Sequence, residues 1–247
     1  MYQKALPKGD IYTTTVRTQA KPIGGHSFKS LQHLEGSIKG QTVKGLHEIK
    51  HYLSAFDYLK LNHSIGLSKY DHASVKDKDE LDSSTLDKMM TPRCGETDDG
   101  NMSPNYALYN GKPKWDKNYL IYTFDSSVKP EGFEEWIKHT QFTFAEGRPS
   151  STFDIVIGYY RGFFAHAFPP TMGKMHFDAD ENWSIDKPNG DQIDLVSVAT
   201  HEIGHILGLQ HSTDVNAVMY PFLNFGMTKR ELSLDDIDGM LALYGTP

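Results

Sequence analysis

His201-Glu202-Ile203-Gly204-His205-Ile206-Leu207-Gly208-Leu209-Gln210-His211 is the stretch from which the rest of the chain can be read. Ahead of it, Leu195, Val198, Ala199 and then Ile206 recur at helical spacing. The pattern predicts a long helix from about Asp191, capped by Asp191 or Asp194 and ended by Gly208. On that helix His201 and His205 project from one face, a turn apart. Both imidazoles can then reach one zinc ion at ~2.0–2.1 Å. Gly208 lets the backbone leave in a left-handed conformation, so that the chain turns back and offers His211 as third ligand. Three neutral imidazoles leave a fourth tetrahedral position open, the mark of a catalytic rather than a structural zinc. Glu202 stands beside the ligands without being one. It is the expected general base toward a water that zinc acidifies to a pKa of ~7, and the expected chemistry is peptide-bond hydrolysis. A core helix that happens to carry histidines would explain a lone His-Glu-x-x-His. It does not explain the added Gly208, His211 and downstream Met219.

The composition fits this reading. A chain of 247 residues can hold one medium domain and a small one. A net charge of −7 without a basic stripe argues against a nucleic-acid partner. No apolar run approaches the ~20 residues of a membrane span, so no transmembrane segment is expected. Met1 to Asp10 has no apolar core of the kind a signal peptide carries. Cys94 is the single cysteine, which excludes an intramolecular disulfide, and its Pro92-Arg93-Cys94-Gly95 setting reads as an exposed turn.

Toward the N-terminus, residues 1–27 are polar and aperiodic and read as a flexible arm. Leu46, Ile49, Leu53 and Phe56 predict an amphipathic helix, and Ser84-x-x-Asp87 a capping box opening a short one that stops at Pro92. The Asp-, Asn- and Gly-rich stretch from Thr97 to Gly111 reads as a linker, which divides a helical segment 28–104 from an α+β domain 105–247. In that domain Tyr119–Phe124, Phe153–Tyr159, Phe163–Phe168 and Lys174–Phe177 read as strands, with a short helix around Phe133, Trp136 and Ile137. Ser233-x-x-Asp236, with Leu232 and Ile237 as a hydrophobic staple, opens a last helix that Gly245 closes.

At these residues the chain resembles the metzincin metallopeptidases, and among them the matrix metalloproteinases of the plant type without a haemopexin domain. The resemblance covers most of residues 113–247. It is carried by His211-Ser212-Thr213-Asp214, Ala217-Val218-Met219-Tyr220-Pro221, Ala165-His166-Ala167-Phe168, His176-Phe177-Asp178-x-Asp180-Glu181-x-Trp183 and Asp235-Asp236-Ile237-Asp238-Gly239. It implies a zincin-like fold: a twisted, mostly parallel five-stranded sheet with three helices, behind a small helical prodomain. It further implies a methionine turn at Met219 beneath the catalytic zinc, and calcium and a second zinc as structural ions. His166 and His176 match ligands of that zinc; Asp178 and Glu181 match calcium ligands. Substrates would be extracellular proteins or peptides, added as a strand near Ala165 and walled by Tyr220 and Pro221. The apolar loop Phe222, Leu223 and Phe225 would favour a hydrophobic side chain just after the cut. The implied protein is an extracellular or cell-surface monomer.

The resemblance also gives Cys94 a role. Pro92-Arg93-Cys94-Gly95-x-x-Asp98 resembles the cysteine switch of a propeptide, in which the thiolate takes the open zinc position and Arg93 pairs with Asp98. The propeptide is then an inhibitor of its own enzyme. The chain departs from the pattern in three places: Thr97 stands where the family has proline, Trp136-Ile137-Lys138 runs into Gln141-Phe142 without the usual turn, and Tyr160-Arg161-Gly162-Phe163 leads almost directly into Ala165-His166. That last shortening removes two of four structural-zinc ligands and several calcium ligands. A rival reading therefore stands beside the enzyme: a folded zinc-binding protein that has lost catalysis.

Overall fold

The computed structural model describes residues 31–37, 49, 82–98, 106–124, 132–148, 150–160 and 164–246. The arm 1–27 and most of the helix read from Leu46 to Phe56 lie outside these residues. Among them, Leu31–Leu34 form one turn of 3-10 helix with both leucines buried. Helix α1 (Ser83–Met90) packs on that turn through the same face that buries Leu86 and Met89. Its cap is Asp82 rather than the expected Ser84: the Asp82 carboxylate accepts from Thr85 N–H at 2.8 Å, and Ser84 itself donates to it. A carboxylate one residue outside the helix serves the free N–H groups better than a hydroxyl inside it.

The second part is built on a sheet. Strand β1 (Ala107–Leu108) is followed by β2 (Tyr119–Phe124), helix α2 (Phe133–His139), β3 (Thr143–Glu146) and β4 (Ile155–Tyr160). Then come β5 (Ala165–Ala167), β6 (Lys174–Asp178), β7 (Trp183–Ser184) and β8 (Ile193–Asp194). Helix α3 (Leu195–Leu207), β9 (Leu209–Gln210) and helix α4 (Leu234–Tyr244) complete the chain. Five strands join in the order β3-β2-β4-β6-β5, all parallel except β5, which runs antiparallel to β6 at the edge. Leu120, Ile155, Ile157, Met175 and Phe177 point into the core, and α2 and α3 pack side by side on that face. This is the expected α+β architecture with a mostly parallel sheet and three helices. β3 and the two-stranded pairs β1–β9 and β7–β8 are additions that periodicity does not show, because two to four residues are too few to display it.

Everything that positions the site bears on α3. Its cap is Asp194: the carboxylate is fully buried and accepts from Ser197 N–H at 3.0 Å and from the Arg230 guanidinium at 2.5 Å and 2.8 Å. Trp136 Nε1 and Trp115 Nε1 donate to the carbonyls of Thr200 and Ile206, each at 2.9 Å. Gly204 sits where the helix meets Met219; a Cβ there would lie 2.2 Å from Met219 Sδ and 3.0 Å from Trp136 Cζ2. Gly208 ends the helix in the left-handed region at φ 105°, as the turn toward His211 requires.

Helix α4 secures the segment that carries Met219. Ser233 and Asp236 form the expected capping box, and the same Asp236 carboxylate accepts from Val218 N–H at 2.9 Å and Met219 N–H at 3.0 Å. Asp236→Ala would strand these two backbone donors in a site without water. The expected loss is about 2–6 kcal/mol of folding stability, read as a lowered urea midpoint. A midpoint equal to that of the parent would show that the turn at Met219 holds without α4.

Candidate active site

Four buried side chains converge beneath the edge strand β5. Cys94, His201, His205 and His211 each offer one ligand-type atom, and these atoms all lie within 4.8 Å of one another. The Nε2 atoms of His201 and His205 are 3.1 Å apart, and Cys94 Sγ is 3.5 Å from His205 Nε2. His211 Nε2 is buried without a hydrogen-bond partner. The helical spacing read from the sequence thus does bring His201 and His205 together, and Gly208 does return the chain so that His211 meets them.

The outer edge of each ring fixes its inner edge. His201 Nδ1 faces the carbonyl of Val218 at 2.7 Å, His205 Nδ1 that of Leu209 at 2.8 Å, and His211 Nδ1 the carboxylate of Asp98 at 2.8 Å. Carbonyls and carboxylates only accept, so each Nδ1 carries the proton and each Nε2 presents a lone pair inward. Burial drives the His201 pKa down to about 3, with His211 adding to the effect, and lowers that of His205 strongly. Burial also lowers His211, against an upward pull from Asp98. Burial, followed by the charge of Glu202, pushes the Cys94 thiol well above its ordinary range. Lone pairs that face one another in a dry pocket need a cation between them. Three neutral imidazoles and one sulfur within reach of a single point are a donor set that fits zinc.

Glu202 lies next to this cluster and is fully buried. Burial pushes its pKa up to about 8, opposed by the proximity of Cys94 and reinforced by the charge of Glu96. A carboxyl group so placed is within reach of a proton that moves at the cluster. Met219 lies under the cluster against Gly204, 2% exposed.

Cys94 is not on the exposed turn that its neighbours suggest. It is buried because the segment Pro92–Gly95 lies in the cleft between β5 and the 221–223 strip. Cys94 N–H donates to Pro221 O at 3.0 Å, Gly95 N–H to Ala165 O at 2.7 Å, and Leu223 N–H to Pro92 O at 3.0 Å. Arg93 pairs with Asp98 at 3.0 Å as the motif suggested, both side chains buried, and its guanidinium lies 5.0 Å from the Phe222 ring centre. Beside the segment runs a cleft of about 350 Å³, walled by Val198, Val218, Tyr220, Phe222 and Leu223, with Lys229 also on its lining.

The other candidate ligands stay apart from this centre. His166 and His176 are direct cross-strand partners on β5 and β6, and His166 Nδ1 is 3.7 Å from a carboxylate oxygen of Glu96. Asp178 is buried at the end of β6, where its carboxylate accepts from Asp180 N–H, and Glu181 is half-buried in the following turn. Among the described residues, the Cys94 cluster is the one group of three or more such side chains that could share an ion. Two contacts carry no signal in the sequence: Tyr109 Oη reaches His205 Nδ1 at 3.3 Å, and Asp98 serves His211 as well as Arg93. Each joins positions about a hundred residues apart, beyond the reach of any local pattern.

Similarity to known proteins gives the chain a family. The matrixin family matches residues 105–245, more than half of the chain. Metalloendoproteinase 1-MMP of Arabidopsis thaliana is 31% identical over an alignment of 283 positions, covering 94% of this chain and 78% of the relative. Metalloendoproteinase 1 of Glycine max is 31% identical, covering 83% of this chain and 84% of the relative. Stromelysin-2 of Rattus norvegicus is 35% identical over 67% of this chain and 39% of its own length. Together with the histidine cluster on α3, these matches mean that the chain belongs to the matrixin family and is a zinc metalloendopeptidase of the matrix metalloproteinase type.

Proposed function

We propose that the chain is the latent form of such a peptidase, held inactive by Cys94. The observation that carries this reading is the position of Cys94 Sγ among the three imidazoles, where a fourth zinc ligand belongs. Residues 105–247 are then the catalytic domain, 28–104 the propeptide and 1–27 an arm ahead of it. His201, His205 and His211 would hold the zinc, with Met219 as the floor beneath it. The substrates are proteins; we place them outside the cell, as the resemblance implies, and the working unit is a monomer. Among the described residues no helix is long and apolar enough to cross a membrane.

When bound, zinc supplies Lewis-acid polarisation of the scissile carbonyl and acidifies a water beside Glu202. The chain's own residues do the rest. Glu202 accepts the proton of the attacking water and returns it to the leaving amine, a role that fits its buried position beside the cluster. Ala165 O and Pro221 O, which now accept from Gly95 and Cys94, are free to receive substrate N–H groups once the segment leaves. The apolar walls of the adjoining cleft favour a hydrophobic side chain just after the cut. A second zinc at His166 and His176, and calcium at Asp178 and Glu181, rest on motif positions alone, since no third donor joins them among the described residues.

The dialysed chain should keep about one equivalent of zinc. His205→Ala should release it and His166→Ala should not, as measured by atomic emission. Zinc loss from His166→Ala alone would move the tight site to the sheet edge.

Latency is tested with a quenched fluorogenic peptide carrying a hydrophobic residue after the scissile bond. Cleavage should appear only after a thiol-reactive mercurial, and Glu202→Ala should stay silent while retaining zinc. Full activity before treatment would remove Cys94 as the latch. Silence of the treated, zinc-loaded parent would favour the rival, a metal-binding protein without catalysis.

A further inference from the structure

The three imidazoles of the cluster are oriented by unlike partners. His201 and His205 each donate to a backbone carbonyl, of Val218 and Leu209, both within the catalytic part of the chain. His211 donates instead to a carboxylate, and that carboxylate belongs to Asp98, on the segment that blocks the cleft. At 2.8 Å, with His211 1% and Asp98 4% exposed at their side chains, the contact is short and shielded from water. We propose that Asp98 is a positioning residue for the metal: it completes the outer sphere of His211, so that the inhibitory segment serves the zinc with two residues, Cys94 directly and Asp98 through the third histidine. The proposal rests on the reading of His211 as a zinc ligand and of 28–104 as propeptide.

The physical case is one of unequal acceptors. A carboxylate draws on the Nδ1 proton more strongly than a neutral carbonyl, which raises electron density at Nε2 and strengthens the ring as a ligand. Asp98 can be held charged in a buried site because Arg93 shares its Oδ1 at 3.0 Å. Arg93 in turn donates through Nε to the carbonyl of Cys94 at 3.3 Å, so the carboxylate, the cation and the thiol move as one unit. When the segment departs, the zinc loses a thiolate and His211 loses its carboxylate in the same event. The latent site therefore holds its metal more tightly than the open one by more than the thiolate alone provides. The open site is left with a less electron-rich ligand set.

The test measures zinc affinity of the intact, uncleaved chain by chelator competition, apart from activity. It is made in a Cys94→Ala background, where the thiolate no longer contributes and three backbone hydrogen bonds still seat the segment. There Asp98→Asn should weaken zinc about 10–100-fold, the usual effect of removing an outer-sphere partner. Arg93→Lys in the same background keeps a cation beside Asp98 and leaves Asp98 on His211, and should cost less than about 3-fold, because it removes no partner of a ligand. Equal affinity of Cys94→Ala with and without Asp98→Asn, or equal losses from Asp98→Asn and Arg93→Lys, would reduce Asp98 to a loop-shaping residue. In the zinc-loaded parent, the Nδ1–H proton of His211 should give a far-downfield NMR signal that Asp98→Asn removes. Its absence from the parent also overturns the proposal. The Cys94 latch stands or falls separately, on whether Cys94→Ala by itself lowers zinc affinity and ends latency.

Discussion

Three imidazole nitrogens and one sulfur facing a common point in a pocket closed to water set the constraint that the rest of the structure serves. Such an arrangement is unfavourable without a cation, because each atom presents a lone pair to the others and none has solvent to turn to. It persists only if the rings cannot rotate away. Carbonyls of Val218 and Leu209 and the carboxylate of Asp98 hold the three outer nitrogens. The Val218 carbonyl is itself fixed, since the N–H groups of Val218 and Met219 are taken by Asp236 of α4. A chain of hydrogen bonds thus runs from the capping box of the last helix to the first zinc-type ligand.

The segment Pro92–Gly95 and an incoming peptide compete for the same backbone. The edge strand β5 offers Ala165 O, and the strip after Met219 offers Pro221 O. A chain lying between them gains main-chain hydrogen bonds whatever its sequence, which is why one cleft can accept many substrates and also an internal blocker. What distinguishes this segment is its side chains: Cys94 Sγ lies among the three imidazoles, and Arg93 lies over Phe222 and pairs with buried Asp98. On the proposed reading, removal of the segment would expose the two acceptors and free the fourth position together.

Much of this could be read from the sequence, and the limit is physical. Three histidines, Gly208 and Met219 lie within nineteen residues of one another, and helical periodicity alone places two of the ligands on one face. The strands around Leu120, Ile155 and Met175 declare themselves because they are buried and apolar. Asp194 rather than Asp191 caps α3, a choice left open by the pattern and decided by the Arg230 guanidinium, thirty-six positions away. Cys94 reads as exposed because its neighbours are polar, yet Arg93 and Asp98 satisfy each other in the interior. Periodicity reports the average environment of a stretch. It is blind to a polar pair that is buried because it is complete.

The supports of helix α3 come from parts of the chain other than the stretch just before Ala165. Helix α3 is held by Trp136 at Thr200, by Trp115 at Ile206 and by the Asp194–Arg230 pair at its start. None of these supports comes from the stretch between Tyr160 and Phe164. β5 still joins β6 in register, with Ala165 opposite Phe177 and Ala167 opposite Met175, all four buried. Apolar pairing can therefore hold this edge of the sheet. The histidine cluster and Glu202 thus depend on tryptophans, caps and the turn at Met219.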